Sequence, residues 1–450
     1  MRDVSGQTLR APIRMEAVWT RGVNSLQQLE CRYKERMKGH HDALGPLRTL
    51  PKERTTLGNV WNSSLLSDLS ACVYVHVPFC SRLCRFCNLR RQVSDPPQDY
   101  VQTILSQMGS FSHLPSVENM RINAVYFGGG TPTVLSPSDL GMILNGLKEA
   151  FVVEVGAEVT VETSLSDLTD EHLDMFEIEG VNRISLGVQT FTNRGRRLLG
   201  RKGCGQDITH RIEQILNRGF DNVSLDLIYN YPGQTLDELT YDLHCITDLN
   251  ISGLSLYPLM LHEGSMIFRE IEEERLKPPL GVEVERSFYE KIYAHLRMHG
   301  FEILELTKMV RPGRDQYQYI RTRYSGGSTL AFGAGAAGKL GRFAYHNPLA
   351  VDEYRAQLDK PIRDLQGLCR SGFEENVYKM IGLVQMGRFP QEHVWPEAEP
   401  WLAPLRKSLL GEGLLQEGAN GLTLSRTGLF WGNNIAREIA MTAASQNYGE

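Results

Sequence analysis

From residue 72 onward the spacing of apolar positions changes at regular intervals. Short runs rich in β-branched residues, Val73–Val77, Ala124–Phe127, Glu158–Val161, Arg183–Val188, Asn222–Ile228 and Gly253–Tyr257, read as strands. Between them stand stretches with helical spacing of apolar side chains, such as Asp139–Phe151 and Asp170–Glu179. Strands alternating with helices imply a parallel sheet joined by right-handed crossovers. Six such units predict an α/β fold, a partial (β/α)6 TIM-like barrel over residues 71–275. In that geometry the chemistry collects at the C-terminal strand ends.

Pro278-Pro279 interrupts the alternation. Helical spacing over Glu283–Met298 and Gly-rich text over Gly326–Gly341 predict a segment, 276–360, that closes the barrel. From Phe373 the pattern reads helix, helix, a small hairpin through Gly413-Leu414-Leu415 and Leu422-Thr423-Leu424, then a helix from Gly428. That order predicts a C-terminal helical, winged-helix-like domain over 361–450. Residues 1–70 are polar and basic, with weak periodicity around Leu26–Met37, and read as an N-terminal extension, partly helical or loosely packed.

Composition narrows the function classes. A net charge of -5 over 450 residues argues against a nucleic-acid partner, so the winged-helix layout is expected to dock rather than to bind DNA. No apolar run reaches the ~18 residues a membrane span needs. Arg2, Arg10 and Arg14 are not followed by the apolar core of a secretory signal. The expectation is a cytoplasmic protein without a membrane or nucleic-acid partner.

Of eight cysteines, five are scattered and read as small buried hydrophobes. The other three stand within eight residues. Val73-Tyr74-Val75-His76-Val77-Pro78 alternates as a strand, and Cys80, Cys84 and Cys87 come next, in one loop at its C-terminal end. Structural zinc takes four ligands, often as two pairs with a two-residue spacing, and no second pair stands at such a distance here. Three thiolates suit three irons of a [4Fe–4S] cubane and leave the fourth iron open to a ligand.

Later strands end in groups suited to holding that ligand. Val125-Tyr126-Phe127 runs into Gly128-Gly129-Gly130-Thr131-Pro132, where backbone can approach a small molecule closely. Glu162, Gln189 and Asp226 stand at the ends of the next three strands, with Arg201 one helical stretch after Gln189.

The C-x3-C-x2-C spacing resembles the radical S-adenosylmethionine superfamily. The texts YVHVPFC, VYFGGGTPT, ISLGVQTF and DLIYNYPGQT look like its oxygen-independent coproporphyrinogen-dehydrogenase-like branch, over roughly residues 72–440. The resemblance implies a radical enzyme in which S-adenosylmethionine at the open iron yields a 5′-deoxyadenosyl radical. It implies that Tyr74, Phe86, Gly129, Gly130, Thr131, Glu162, Gln189, Arg201, Asp226, Ile228 and Met260 contact S-adenosylmethionine, and that two molecules of it bind. A reducing flavodoxin- or ferredoxin-like donor is implied as well.

Within the branch, coproporphyrinogen dehydrogenases carry a fourth cysteine two residues after the triplet, where this chain has Leu89. Leu330-Ala331-Phe332-Gly333-Ala334-Gly335-Ala336-Ala337-Gly338 and Leu424-Ser425-Arg426-Thr427-Gly428 resemble instead the anaerobic haem-utilisation, anaerobilin-forming radical methyltransferases. That implies a methyltransferase acting on haem or a similar flat tetrapyrrole. Asn88-Leu89 and Asn230-Tyr231 depart from the usual Gly-aromatic and Gly-Leu pairs, which keeps open a natural-product C-methylase or cyclopropanase, a coproporphyrinogen III decarboxylase and a haem chaperone. The residues acting on the acceptor are not legible.

Gly333–Gly338 also fits G-x-G-x-x-G, but the text around it offers no convincing helix opening and no clear preceding strand, so a dinucleotide site is not expected. Tyr317, Tyr319, Arg321, Arg323 and Tyr324 are candidates for an acceptor pocket, with arginines pairing carboxylates. His76, His262 and His346 read first as structural histidines.

Overall fold

The alternation along the predicted strands separates two faces of very different character. A computed structural model of the chain describes residues 32–50, 52–63, 66, 70–87, 93–391 and 395–446. In chain order its strands are β1 (Glu53–Thr56), β2 (Ser70–Val77), β3 (Arg121–Gly129), β4 (Val152–Thr163), β5 (Arg183–Gln189), β6 (Val223–Tyr229) and β7 (Gly253–Pro258). Then come β8 (Glu302–Glu305), β9 (Lys308–Val310), β10 (Ser328–Phe332), β11 (Ala337–Leu340), β12 (Phe343–His346) and β13 (Gln366–Cys369). One sheet holds all thirteen in the order β1-β13-β12-β11-β10-β2-β3-β4-β5-β6-β7-β9-β8. Strands β2 to β7 run parallel in sequence order, as the alternation predicts. The edge strands β1 and β8 do not pair with each other, so the sheet is an open, partial barrel.

One face is apolar throughout. Val73, Val75, Val77, Val125, Phe127, Ile184, Leu186, Leu225 and Leu227 are buried in one cluster with Ile104 and Met108 of the helix Tyr100–Ser112. Ile143 and Leu144 of Pro137–Ala150, and Ile212 and Ile215 of Gly205–Asn217, join the same cluster. These helices carry the crossovers and cover that face. The residues between belong to the other face: Tyr74, Tyr126, Thr160, Glu162, Ser185, Ser224, Asp226 and Ser255, joined across β9 by Lys308. Period-two alternation in a sheet buried on both sides therefore sorts polar from apolar rather than water from core.

Charges on the polar face are neutralised internally. Arg183 on β5 pairs with Asp315 through two hydrogen bonds of 3.0 and 3.1 Å, and Lys308 lies 3.5 Å from the same carboxylate. The two cations hold the Asp315 carboxyl far below the usual carboxylate range, against the opposing effect of burial.

Two departures from the sequence reading have physical causes. A strand, β10, does precede Gly333, and it pairs parallel to β2. The glycines lead into strand β11 and not into a helix, so no helix N-terminus exists there to receive a pyrophosphate. Gly333 is required because a Cβ would meet the His76 carbonyl oxygen at 2.2 Å. Within residues 36–66, Leu47 and Leu57 are fully buried and β1 pairs antiparallel with β13. Arg36 donates to Glu285 (2.8 Å), to the Tyr229 hydroxyl (2.7 Å) and to the Phe430 carbonyl (2.8 Å). Residues 1–31 of the N-terminal extension lie outside the described residues.

The C-terminal part keeps the expected order. Helices Gly372–Gln385 and Glu399–Gly411 precede a hairpin of β14 (Leu415–Gly418) and β15 (Gly421–Leu424), and the helix Gly432–Ser445 comes last. Among the described residues no helix is long and apolar enough to cross a membrane.

Replacing Asp315 with Ala removes the carboxylate that Arg183 and Lys308 share and leaves both buried cations without their nearest counter-charge. A loss of about 3–5 kcal/mol is expected, read as a lower denaturant midpoint. An unchanged midpoint contradicts the assigned role of the pair.

Candidate active site

The C-terminal end of the sheet builds one cavity of about 350 Å3 from loops that succeed consecutive strands. The loop after β2 brings Cys80, Cys84 and Cys87 to its wall together with Phe86. Cys80 is buried, and Cys84 and Cys87 are partly buried. Backbone bonds tie this loop to its neighbours. Gly130 N–H donates to the Val77 carbonyl and Thr131 N–H to that of Phe79, both at 2.8 Å. Arg85 N–H reaches the Leu199 carbonyl, and the Ile267 N–H donates to the carbonyl of Arg85. Ser81 donates to Asp167, in the loop after β4, at 2.6 Å.

The triple glycine is needed for that approach. A Cβ on Gly130 would lie 2.3 Å from the Phe79 carbonyl oxygen and 2.9 Å from Cys80 Sγ. Gly129 has φ +113°, a conformation that favours glycine, and a Cβ there would strike the His76 ring.

Ten of the eleven expected cofactor positions line this cavity: Phe86, Gly129, Gly130, Thr131, Glu162, Gln189, Arg201, Asp226, Ile228 and Met260. Tyr74 does not. Its ring stacks with Tyr126 and Tyr319, and its hydroxyl shares a 2.8 Å hydrogen bond with His76 Nδ1. It shapes the layer beneath the cavity rather than its surface. His76 likewise bonds locally, as its sequence context suggests.

The charged groups are held tightly. Tyr126 donates its hydroxyl proton to Glu162. Burial pushes the Glu162 carboxyl up to about 7, with Asp226 adding to the rise and the Tyr126 bond opposing it. Burial also raises the Asp226 carboxyl, against the pull of Lys308. Arg201 donates to Cys84 Sγ at 3.2 Å and to the Gly187 carbonyl, so one guanidinium bridges the cysteine loop and β5. Gln189 stands at the end of β5 with φ +71°, beside an irregularity in the β5–β6 register. A non-glycine residue in that region is strained, and such strain is a feature of functional sites.

Residues that sequence reasoning missed include Ser164, Ser166 and Asp167 after β4, Lys202 beside Arg201, and Tyr257 at the end of β7. The short Ser-Leu-Ser-Asp text directly after a strand was the available signal for the first three. His262 also lines the cavity, whereas His346 lies elsewhere. Asn88 and Leu89 lie outside the described residues.

The radical SAM superfamily signature matches residues 74–245, from β2 through the helix before β7. A haem chaperone, HemW, from Lactococcus lactis subsp. lactis (strain IL1403) is 31% identical over 68% of this chain and 79% of that relative. The chain belongs to the radical S-adenosylmethionine superfamily. Its branch is the one that holds HemW and the oxygen-independent coproporphyrinogen III oxidases. An anaerobilin synthase from Escherichia coli O157:H7 is 27% identical over 88% of this chain and 91% of that relative. The solved Escherichia coli coproporphyrinogen III oxidase (HemN) superposes with a TM-score of 0.72 at 22% identity, over 86% of this chain and 93% of that one, which establishes the shared fold.

Radical SAM enzymes use a [4Fe–4S] cluster and S-adenosylmethionine, and this cavity fits both. The three thiols share one cavity wall with the strand-end groups, and a cubane takes each thiolate on a separate iron. The N–H donor of Arg201 on Cys84 and the Thr131 hydroxyl 3.6 Å from Cys80 Sγ stabilise negative sulfur. Beside the thiols, the accessible area of Glu162, Asp226 and Arg201 faces the cavity and is available to a zwitterionic ligand.

Two outcomes are expected. Gly130→Ala pushes the two loops apart and lowers the iron retained after anaerobic reconstitution, measured per chain; full iron retention contradicts the need for close approach. A carboxyl whose folded pKa is raised contributes stability at low pH, which is lost as pH rises through the folded value. The Glu162 contribution is therefore lost between the ordinary carboxylate range and about 7. Glu162→Gln flattens the fall of the unfolding midpoint over that window, as a pH series of melts checks.

Proposed function

We propose that this radical SAM enzyme is a methyltransferase acting on haem or a similar tetrapyrrole, in an anaerobic haem-degrading or haem-utilising role in the cytoplasm. The observation that carries this reading is the extent of the likeness to the anaerobilin synthase. It takes in 88% of this chain, against 68% and 80% for two HemW relatives. Leu89, where coproporphyrinogen dehydrogenases carry a cysteine, supports it against oxidative decarboxylation.

In this reading Cys80, Cys84 and Cys87 hold the [4Fe–4S] cluster. Phe86, Gly129, Gly130, Thr131, Glu162, Gln189, Arg201, Asp226, Ile228 and Met260 surround S-adenosylmethionine. The bound cluster and cofactor supply a carbon radical by one-electron cleavage of a sulfonium. The chain's own residues bind and orient. Exposed backbone of the Gly128–Thr131 turn and the Glu162 carboxylate receive the charged amino-acid end of the ligand, and Asp226 receives hydroxyls. The apolar Phe86, Ile228 and Met260 exclude water from the reacting end. Tyr74 acts one layer away, holding Tyr126 in place. A second S-adenosylmethionine as carbon donor, and a flavodoxin- or ferredoxin-like electron donor, complete the proposal.

Reduced, reconstituted enzyme given haem under argon is expected to release 5′-deoxyadenosine and S-adenosylhomocysteine while the Soret band declines. 5′-Deoxyadenosine without S-adenosylhomocysteine removes the methyl-transfer half, and a stable Soret band removes haem as the acceptor. Stoichiometric haem binding with no cofactor cleavage favours the chaperone reading, which the 31% identity to HemW supports. Asp226→Asn is expected to weaken cofactor binding about tenfold, the usual cost of losing a charged hydrogen-bond acceptor, and equilibrium binding of S-adenosylmethionine measures it.

A further inference from the structure

The cavity at the cysteines is not the largest in the chain. A second one, of about 690 Å3, lies at the opposite end of the sheet: its lining residue Thr329 pairs with Cys72 near the start of β2, whereas Cys80 stands beyond that strand's end. The cofactor site does not use it.

Its charge is opposite to that of the chain. Arg48, Arg54, Arg323, Lys339, Arg370 and Lys379 line it, in a protein of net charge -5. Glu375 is the single carboxylate among its lining residues, and Lys339 and Arg370 already share it. Arg48, Arg54 and Lys379 make no ion pair among the described residues. Arg323 lies deep in the fold yet keeps an accessible side chain, because the surface it exposes is the cavity wall. Unpaired cations gathered around one hollow raise the local positive potential and concentrate anions there.

The sheet register shows the shape of that anion. Arg54, Leu368, Ala344, Lys339 and Thr329 form one continuous cross-strand row over β1, β13, β12, β11 and β10, and all five line the cavity. Arg54 and Lys339 are three strand spacings apart, about 14 Å. The apolar Leu368 and Ala344 lie between them. Arg323 and Lys379 line the cavity from helices, Gln318–Tyr324 and Gly372–Gln385. A floor that is apolar in the middle and cationic at both ends matches a flat body with acidic groups at its rim. A polyphosphate, whose charge gathers at one end, needs free backbone N–H groups, and those of the lining pair Gly326-Gly327 are already donated to the Arg323 and Thr322 carbonyls.

We propose that this cavity is a second ligand site, separate from the cofactor cavity, and that it holds a flat, apolar macrocycle bearing rim carboxylates, the chemistry of a tetrapyrrole. The choice of a tetrapyrrole rests on the proposed haem-directed activity, whereas the existence of an anion site does not. The site takes a tetrapyrrole away from the thiolates and is suited to capture or hold it before or after reaction.

The test titrates reconstituted enzyme with metal-free coproporphyrin III, whose four propionates stand around the whole rim, and monitors porphyrin fluorescence. Arg54→Gln with Lys379→Gln is expected to weaken one binding phase about tenfold or more. 5′-Deoxyadenosine formation without acceptor stays at the wild-type rate. Ala344→Trp, which fills the floor without changing charge, is expected to abolish the same phase, and matched unfolding midpoints show that the variants fold. An unaltered titration in both variants overturns the proposal, and so does the absence of any porphyrin binding by the wild type. Displacement by equimolar inorganic phosphate overturns the flat-ligand assignment. Charge-dependent porphyrin binding in an enzyme that leaves haem intact refutes the proposed activity but not this site. Haem consumption with unaltered porphyrin binding in the variants refutes the site but not the activity.

Discussion

The structure depends on one constraint: a parallel sheet covered by helices on one face must still solvate a polar second face. Arg183, Lys308 and Asp315 meet it with a buried triad, in which one carboxylate answers two cations. A buried pair of this kind adds little net stability over an apolar substitute, but removing one member is expensive. Its value here is positional. Arg183 pairs in register with Thr160 on β4, two residues before Glu162, and Lys308 with Ser255, which itself pairs with Asp226. Arg183 thus stands two residues below Glu162, and Lys308 stands level with Asp226, whose carboxyl it pulls down against the effect of burial.

Level with Arg183 the tyrosines separate charge from chemistry. Tyr126 and Tyr319 stack with centroids 4.5 Å apart, Tyr74 packs against both, and Tyr317 lies beneath the Arg183 guanidinium. Tyr126 carries the one hydroxyl of this stack that reaches Glu162. Arg323, whose guanidinium lies over Tyr319, faces the second cavity. The stack is therefore a partition between the two cavities. Its rings exclude water from the middle of the sheet, and its polar edges serve opposite ends.

Much of the parallel sheet and of the cofactor cavity is legible in the sequence because both are local. A strand that runs at once into thiols, glycines or a carboxylate places those groups at one edge of a parallel sheet, whatever the details of packing. Asn230 shows how far such reading extends. It takes φ +54°, which asparagine tolerates better than other side chains, and its amide bonds to both backbone groups of Leu280. An Asn in place of the usual glycine keeps the turn and adds a clasp. The illegible part is non-local. The pairing of β1 with β13 joins residues more than three hundred positions apart, and β10 reaches β2 across seven strands of intervening chain. Neither strand is long enough, or alternates clearly enough, to announce itself. Tyr74 was legible as a strand residue, but its burial beneath the cavity depends on Tyr319, which arrives from a helix far along the chain.

The antiparallel strands β10 to β13, with β1, extend the polar face of the barrel past its parallel part. A parallel sheet offers its strand ends to a ligand, since loops converge there. An antiparallel meander offers instead a continuous row of side chains, because its register sets residues from neighbouring strands side by side. The row from Arg54 to Thr329 is such a surface, and it lies level with the start of β2 rather than its end. One sheet thereby carries two kinds of site. The parallel half concentrates thiols, carboxylates and glycines at a point, which suits a small charged ligand gripped at many atoms. The antiparallel half spreads cations over a plane, which suits a broad ligand held at its rim.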